Sequence, residues 1–398
     1  MALLGGGYIY LNSRLTGDSV HIVEAPHEDP PALLAPLPEE ILILTEEEFM
    51  ALMEEEWEEF DPEEMREEIE RAFEPEFVEE GFISGSILDE IAALMYRDPI
   101  FEREEISDRI INVLFLGDDA RIHQSRGRSD TIILISFNRD TRVIQLSSFL
   151  RDTLIPIGLH SSYWNRINSM HAIGGPGRLI NLMNSLFSLD IQRYGVVRFN
   201  GVFMLVDALG GLELNLTSQE ADMINRIFFD YEPLEEGLNL MDGRQVLAFS
   251  RLRAIDNDRI RSQRQRQVLT SVLNRLLDLA APGDIFSVIA FALEHVETNI
   301  PLEELIRLGL DLFSGPRPVV QELRIPIDGS FSHGQYNGAN ILTMNFEQNI
   351  RALHETIYGC SEEVWIPQFA SPRLDGTPIE PPPPPLAAHQ EGAIQAAQ

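Results

Sequence analysis

The chain has 398 residues, 44% of them apolar, which allows one large domain or two ordinary ones with a well-buried core. Its 64 acidic residues outnumber 30 basic ones, and the formal net charge of −34 argues against nucleic-acid binding, because a polyphosphate would be repelled over most of the surface. All 30 basic residues are arginine, so any anion site must be built from guanidinium forks, which grip phosphate oxygens bidentately.

The N-terminus, "MALLGGGYIYLNSRL", has an apolar run from Ala2 to Leu11 broken by three glycines. It is far short of the ~20 residues of a membrane span and lacks the basic front of a signal peptide. It reads either as a first strand or frayed end, or as the last turns of a membrane anchor. Residues 24–38 are proline-rich and read as a linker. Residues 39–80 hold twenty acidic residues and two arginines, with Phe49, Leu52, Met53, Trp57 and Phe60 at helical spacing. That pattern predicts amphipathic helices broken at Pro62 and Pro75, with a solvated acidic face or one that docks a basic partner.

From Arg109 the texture changes. "INVLFLG", "TIILISFN" and "VIQLSSF" are β-branched or aromatic runs and predict buried strands. "GRLINLMNSLFSL" follows a Gly-Gly-Pro turn and predicts a helix. "YGVVRFN" and "LELNLT" are strand candidates around a helix containing "VFMLVDALGG". "DGRQVLAFSRLR" predicts a helix capped by Asp242, and "RSQRQRQVLTSVLNRLLDLA" a second, long one. "IFSVIAFALEHV", "PLEELIRLGLDLF" and "NFEQNIRALHETIYG" are further helices, and "VVQELRIP" and "ANILTM" late strands. The alternation predicts an α/β fold, a central mixed sheet with helices on both faces. Four segments follow: 1–38 (linker and anchor remnant), 39–108 (acidic, helical), 109–360 (the globular domain) and 361–398, a proline-rich tail without core-forming periodicity. The single cysteine, Cys360, leaves no internal disulfide, zinc site or redox pair to be drawn.

Three places could carry chemistry. Asp118 and Asp119 follow the strand "VLFLG", at the edge where open α/β sheets bind ligands, and Asp130 opens the next strand. Paired carboxylates are what Mg²⁺ (or Mn²⁺) wants, with water and phosphate oxygens completing its shell; a loop cap and a surface ion pair are the plainer alternative. Arg151 sits at another strand end. Finally, six arginines lie between Arg251 and Arg266. Arg261, Arg264 and Gln265 share one face of the expected first turn of a helix, where unpaired N–H groups and the dipole favour an anion. Their counter-anion is either local carboxylates or a bound diphosphate.

Together these pieces resemble the LytR-CpsA-Psr family of cell-envelope enzymes. The resemblance runs from about Ile111 to Gly359 through "NVLFLGDDAR", "GRSDTIILISFN", "SSFLRDTLIPI", "RINSMHAIGGPGRLINLMNSLF", "GLNLMDGRQVLAFSRLR" and "RSQRQRQVL". It implies an extracytoplasmic phosphotransferase that moves an anionic glycopolymer, of teichoic acid or capsule type, from a polyprenyl-diphosphate carrier to peptidoglycan. It places Asp119 and Asp130 at the family's metal-associated aspartates, and Arg128 and Arg151 in its "GRSD" and "PRDT" motifs. Arg251, Arg253, Arg261, Arg264 and Gln265 match its "RxR" and "RxxRQ" motifs. Leu150 stands where the family has proline, Ser169 where histidine is frequent, and Arg259 where an aromatic usually follows Asp258. The family's N-terminal membrane helix makes residues 1–11 read as the end of such an anchor. A polyprenyl-diphosphate hydrolase and a binding-only envelope regulator are the competing functions.

Overall fold

The structure, a computed structural model, describes residues 22–23, 33–34, 41–45, 48, 62–63, 65–67, 100–118, 127–157, 164–252, 258–278, 295–360 and 368–369. The N-terminal run 1–11, nearly all of the linker, most of the helices expected over 39–80 and over 285–296, and the tail other than 368–369 lie outside them.

After the two-residue strands Ile22–Val23 and Leu33–Leu34 comes a short strand from the acidic segment, β1 (Leu42–Leu44). The three long apolar runs then form adjacent antiparallel strands, β2 (Ile110–Asp118), β3 (Ser129–Asn138) and β4 (Val143–Phe149). A small hairpin, β5 (Leu154–Pro156) and β6 (Trp164–Arg166), leads into helix α1 (Ser169–Phe187). Strand β7 (Arg193–Arg198) returns parallel to β2. There follow α2 (Phe199–Ala208), β8 (Leu212–Leu216), α3 (Ser218–Ile227), β9 (Gly237–Met241), α4 (Gly243–Arg251) and α5 (Asp258–Leu277). The domain closes through β10 (Val296–Thr298), α6 (Leu302–Phe313), β11 (Val319–Ile325), the hairpin β12 (Phe331–Tyr336) and β13 (Ala339–Met344), and α7 (Phe346–Tyr358).

The central sheet is mixed, in the order β10-β7-β2-β3-β4-β11. Its inner strands are apolar on both sides because both faces are covered. Leu114, Leu116 and Leu134 pack against Leu179, Met183 and Leu186 of α1 and Ile350 and Leu353 of α7. On the other face Ile111, Ile133, Phe137 and Leu146 meet Leu269 and Leu273 of α5 and Leu308 and Leu312 of α6. Each such side chain contributes roughly 1.5–3 kcal/mol relative to exposure. A second core, with Phe203, Leu214, Ile224, Val246, Phe249 and Val268, joins α2 to α5 around β8. No described helix is long and apolar enough to cross a membrane.

Two local features follow from sequence chemistry. The expected Gly-Gly-Pro turn is a kink inside a longer helix: Gly174 and Gly175 leave helical geometry, and Gly175 has φ 71°, a value that suits glycine. Pro176 then restarts the helix at a position that needs no N–H. Asp242 caps α4 as expected, accepting from Gln245 N at 2.9 Å while Gln245 Oε1 accepts from Asp242 N at 3.1 Å. Asp242→Ala is expected to cost about 1 kcal/mol, read as a lowered urea midpoint at unchanged m-value.

Several elements carry little sequence signal. The strands β5, β6, β9 and β12 are short, polar or half-exposed, so periodicity alone did not single them out.

Candidate active site

Strand β2 runs one residue past the expected end, through Asp118, and the β2–β3 register shifts between Gly117 and Asp118. Such a bulge re-aims side chains at a strand end. Asp118 is buried, and its Oδ1 accepts from Gly127 N at 2.8 Å, joining the residues that flank 119–126. Asp119 itself lies outside the described residues. The other Asp118 oxygen is 3.6 Å from Nε2 of the buried His171, too long for a hydrogen bond.

Asp130 and Arg151 do meet. Arg151 Nη1 donates to Asp130 Oδ1 at 2.9 Å, across the ends of β3 and β4. The pair belongs to an alternating chain of charges: Arg151 Nε lies 3.4 Å from Asp152 Oδ2, and Arg166 Nη1 donates to Asp152 Oδ1 at 2.9 Å. The side chains of Asp130 and Arg151 are 10% and 23% exposed, so the charges are largely shielded yet open on one side. In that setting a charge acts more strongly than at a free surface. Asn168 secures the backbone around them, its N–H donating to Arg151 O at 3.3 Å and its carbonyl accepting from Ser129 N at 3.4 Å. Arg128 is exposed at the entrance to β3.

The arginine-rich segment is arranged differently from the expectation. Helix α5 starts at Asp258, so Arg261 is in its first turn, but Arg264 and Gln265 lie in the second. Arg264 is 2% exposed; its Nε donates to Glu220 Oε1 at 2.6 Å, its Nη1 to Leu252 O at 3.0 Å, and it lies 5.9 Å from the Phe249 ring centroid. It therefore ties α5 to α3 and to the end of α4, whose terminal carbonyl needs a donor. Glu220 also completes the capping box with Thr217 at the start of α3. Arg251 ends α4 and is half-buried, as is Gln265. Arg253 and the side chain of Arg261 lie outside the described residues. The neighbouring Arg266 donates to Ser148 Oγ at 2.5 Å and to Glu322 Oε2 at 3.3 Å. Burial pulls its pKa down from the usual guanidinium value, and Glu322 offsets part of this.

The described residues thus bring Asp130 and Arg151 together and set Arg264 in a separate ion pair. Sequence reading named Asp118 beside Asp119, but did not single out Asp152, Arg166 or His171 as site residues. The Arg151–Asp152 dipeptide was a signal, but nothing in the spacing links Asp152 to Arg166. Among the described residues no cluster of three or more His, Cys, Asp or Glu side chains could hold a metal. Asp130 has one carboxylate oxygen engaged by Arg151 and takes no second hydrogen bond among those residues, a hard-oxygen donor of the kind Mg²⁺ uses one or two at a time.

A profile of the LytR_cpsA_psr family matches residues 93–355, about two thirds of the sequence. The chain belongs to the LytR_cpsA_psr family. Among its relatives is the polyisoprenyl-teichoic acid–peptidoglycan teichoic acid transferase TagU of Enterococcus faecalis, 27% identical over 210 residues, 52% of this chain and 65% of that one. TagV of Bacillus subtilis, which carries the same functional name, is 26% identical over 225 residues, 54% of this chain and 56% of that one. The chain thus spans less than two thirds of either relative. The regulatory protein MsrR of Staphylococcus aureus is 25% identical over 253 residues, 63% of this chain and 75% of that one. Solved LytR_cpsA_psr structures share the fold. TagT bound to LIIa-WTA superposes with a TM-score of 0.53 at 21% identity, over 64% of this chain and 93% of TagT. TagT with bound octaprenyl pyrophosphate lipid gives 0.50 at 20%, over 65% and 94%.

Proposed function

We propose that the chain is a phosphotransferase that moves an anionic glycopolymer, of teichoic acid or capsule type, from a polyprenyl-diphosphate carrier to a hydroxyl of peptidoglycan. The observation that carries this reading is the shielded Asp130–Arg151 pair at the sheet edge of a LytR_cpsA_psr chain. The names of TagU and TagV, and the lipid bound to TagT, support the substrate class.

A diphosphate brings several negative charges to the site. Arg151 and Arg128 would grip its oxygens, with Arg251, Arg253, Arg261 and Gln265 from the α4–α5 region closing the cradle. Preorganised cations of this kind stabilise the charge that moves onto the leaving phosphate, the main lever in phosphoryl transfer. Arg264 contributes through its ion pair with Glu220, by holding α5 against α3 and α4. Asp130 with Asp119 would hold Mg²⁺ or Mn²⁺, which when bound supplies further charge neutralisation. Asp130 also fixes the Arg151 fork.

The apolar carrier needs an apolar slot. Val113 of β2 and Ile135 of β3 are only partly buried in the middle of the sheet, in one cluster with the partly buried Leu269, Leu273, Leu308 and Leu312. Incompletely covered apolar surface in this position suits a prenyl chain. The working place that follows is the extracytoplasmic face of the membrane, reached through an N-terminal anchor.

A synthetic polyprenyl-diphosphate sugar, offered with a peptidoglycan fragment with and without Mg²⁺, tests the reading. The expected product is a phosphodiester-linked conjugate, lost with EDTA and restored by Mg²⁺. Free phosphate and lipid monophosphate without conjugate would replace transfer by hydrolysis. Binding of the lipid without turnover would support a regulator, a reading favoured by the name of the relative MsrR.

A further inference from the structure

The family match begins at residue 93, yet among the described residues chain ahead of it is built into the domain: Ile22–Val23 pairs parallel with Ile100–Phe101, and two further points follow. The first is β1, which adds to the outer edge of β12 in antiparallel register, with Leu44 opposite His333, Ile43 opposite Gly334 and Leu42 opposite Gln335. A Cβ on Gly334 would lie 2.6 Å from the Leu42 carbonyl oxygen, so the missing side chain is what lets β1 close in. Ile41 packs on the main core beside it. Strand β12 in turn pairs with β13 along its length, and β13 backs the arginine loop: Leu342 N donates to Asp152 O at 2.9 Å, and Thr153 bridges to Leu342. A continuous hydrogen-bond ladder therefore leads from the acidic segment to the residue beside Arg151.

The second point is Arg66. Its Nη1 and Nη2 donate to Asp230 Oδ1 and Oδ2 at 2.7 and 3.0 Å, and its guanidinium lies 5.2 Å from the Phe229 ring centroid and 5.9 Å from that of Phe228. These hydrogen bonds hold the Asp230 carboxyl below the usual carboxylate range. Met65 packs on the second core. Phe228 ends α3, the helix whose Glu220 holds Arg264. The planar fork and the two rings make a specific contact rather than a diffuse attraction between opposite charges.

We infer that residues 41–45 and 65–67 are positioning elements: β1 steadies the β12–β13 hairpin and, through it, the Arg151–Asp152 loop, while Arg66 steadies α3 and, through Glu220, the start of α5. The segment that reads in sequence as a solvated acidic face, or as one that docks a basic partner, is then part of the working domain. The placement stands apart from the proposed reaction; only its effect on anion binding rests on that reading.

Hydrogen exchange on the full chain, together with calorimetric titration of inorganic pyrophosphate, tests it. Leu42→Pro removes an N–H that faces β12 at an exposed position of β1, and Gly334→Val blocks the same contact from the other side. Both are expected to speed exchange in peptides covering 150–153 and 339–344 about tenfold, leave 179–187 unchanged, and weaken pyrophosphate binding. Arg66→Ala is expected to speed exchange in 218–227 and in 258–266 but not in 150–153, and the swapped pair Arg66→Asp with Asp230→Arg to restore protection. Exposure of 41–44 in Leu42→Pro with 150–153 as protected as in the parent would overturn the inference. So would a parent chain whose 41–44 amides exchange freely. If the parent fails to bind pyrophosphate, the proposed function falls, and the exchange data still decide the positioning role.

Discussion

Arg151→Ala is expected to lower the transfer rate by about 10²–10³-fold, the range seen when one preorganised donor is removed from a charge-stabilising site. Arg151 is the arginine that the described residues place beside a site aspartate, and its fork is held by Asp130 and Asp152 before any substrate arrives. Preorganisation matters because it removes reorganisation at the moment charge develops. Arg151→Lys should recover only a small part of the loss, since an ammonium cannot keep the bond to Asp130 and also present a planar fork to a phosphate. The rate is measured with a polyprenyl-diphosphate sugar, and a urea melt is run beside it. A partly buried pair has been opened, so some stability falls too, but the rate loss should persist at temperatures where the variant is fully folded. A folded Arg151→Ala protein at parental rate would remove the proposed site.

The second large effect concerns stability. Glu220→Gln leaves the Arg264 guanidinium, 2% exposed, facing a neutral amide. Breaking a buried ion pair by removing one charge costs about 3–5 kcal/mol, far more than the pair is worth against a well-packed apolar replacement. The amide still accepts one hydrogen bond, so about 3 kcal/mol is expected, read as a drop in urea midpoint. The joint change Glu220→Leu with Arg264→Met should be milder than Glu220→Gln alone, tempered by the loss of the Thr217 capping box. The same pair decides what Arg264 does. A direct diphosphate ligand would lose pyrophosphate affinity in Arg264→Met at near-parental stability. A tie between helices loses stability first, with affinity falling only as α5 loosens. The observed geometry predicts the second result.

Much of the fold can be read along the chain. The runs in β2, β3 and β4 are continuous and apolar because the strands are covered on both faces, and that covering leaves a mark in every residue. The cap at Asp242 is equally legible, since a capping box is completed within four residues. Asp130 and Arg151 were picked out at strand ends, and the sheet brings those ends together. The hairpin β5–β6 and strand β12 were not legible. Their stability comes from partners distant in sequence, such as Leu342 for the Asp152 backbone and β1 for β12. Helical spacing placed Arg261, Arg264 and Gln265 on one face, but spacing cannot say what that face meets. The start of α5 at Asp258 moved Arg264 into the second turn, against Glu220.

By itself, then, the amino-acid order determined the local elements, the apolar layers, the arginine-only cationic chemistry and the excess of negative charge. Those properties depend on neighbours a few residues apart. Tertiary structure alone decided which charges meet: Asp130 with Arg151, Asp152 with Arg166, Glu220 with Arg264, and Arg66 with Asp230. A guanidinium binds whichever carboxylate the packed elements bring within about 3 Å, and that distance is set by how sheets and helices stack rather than by where a residue falls along the chain.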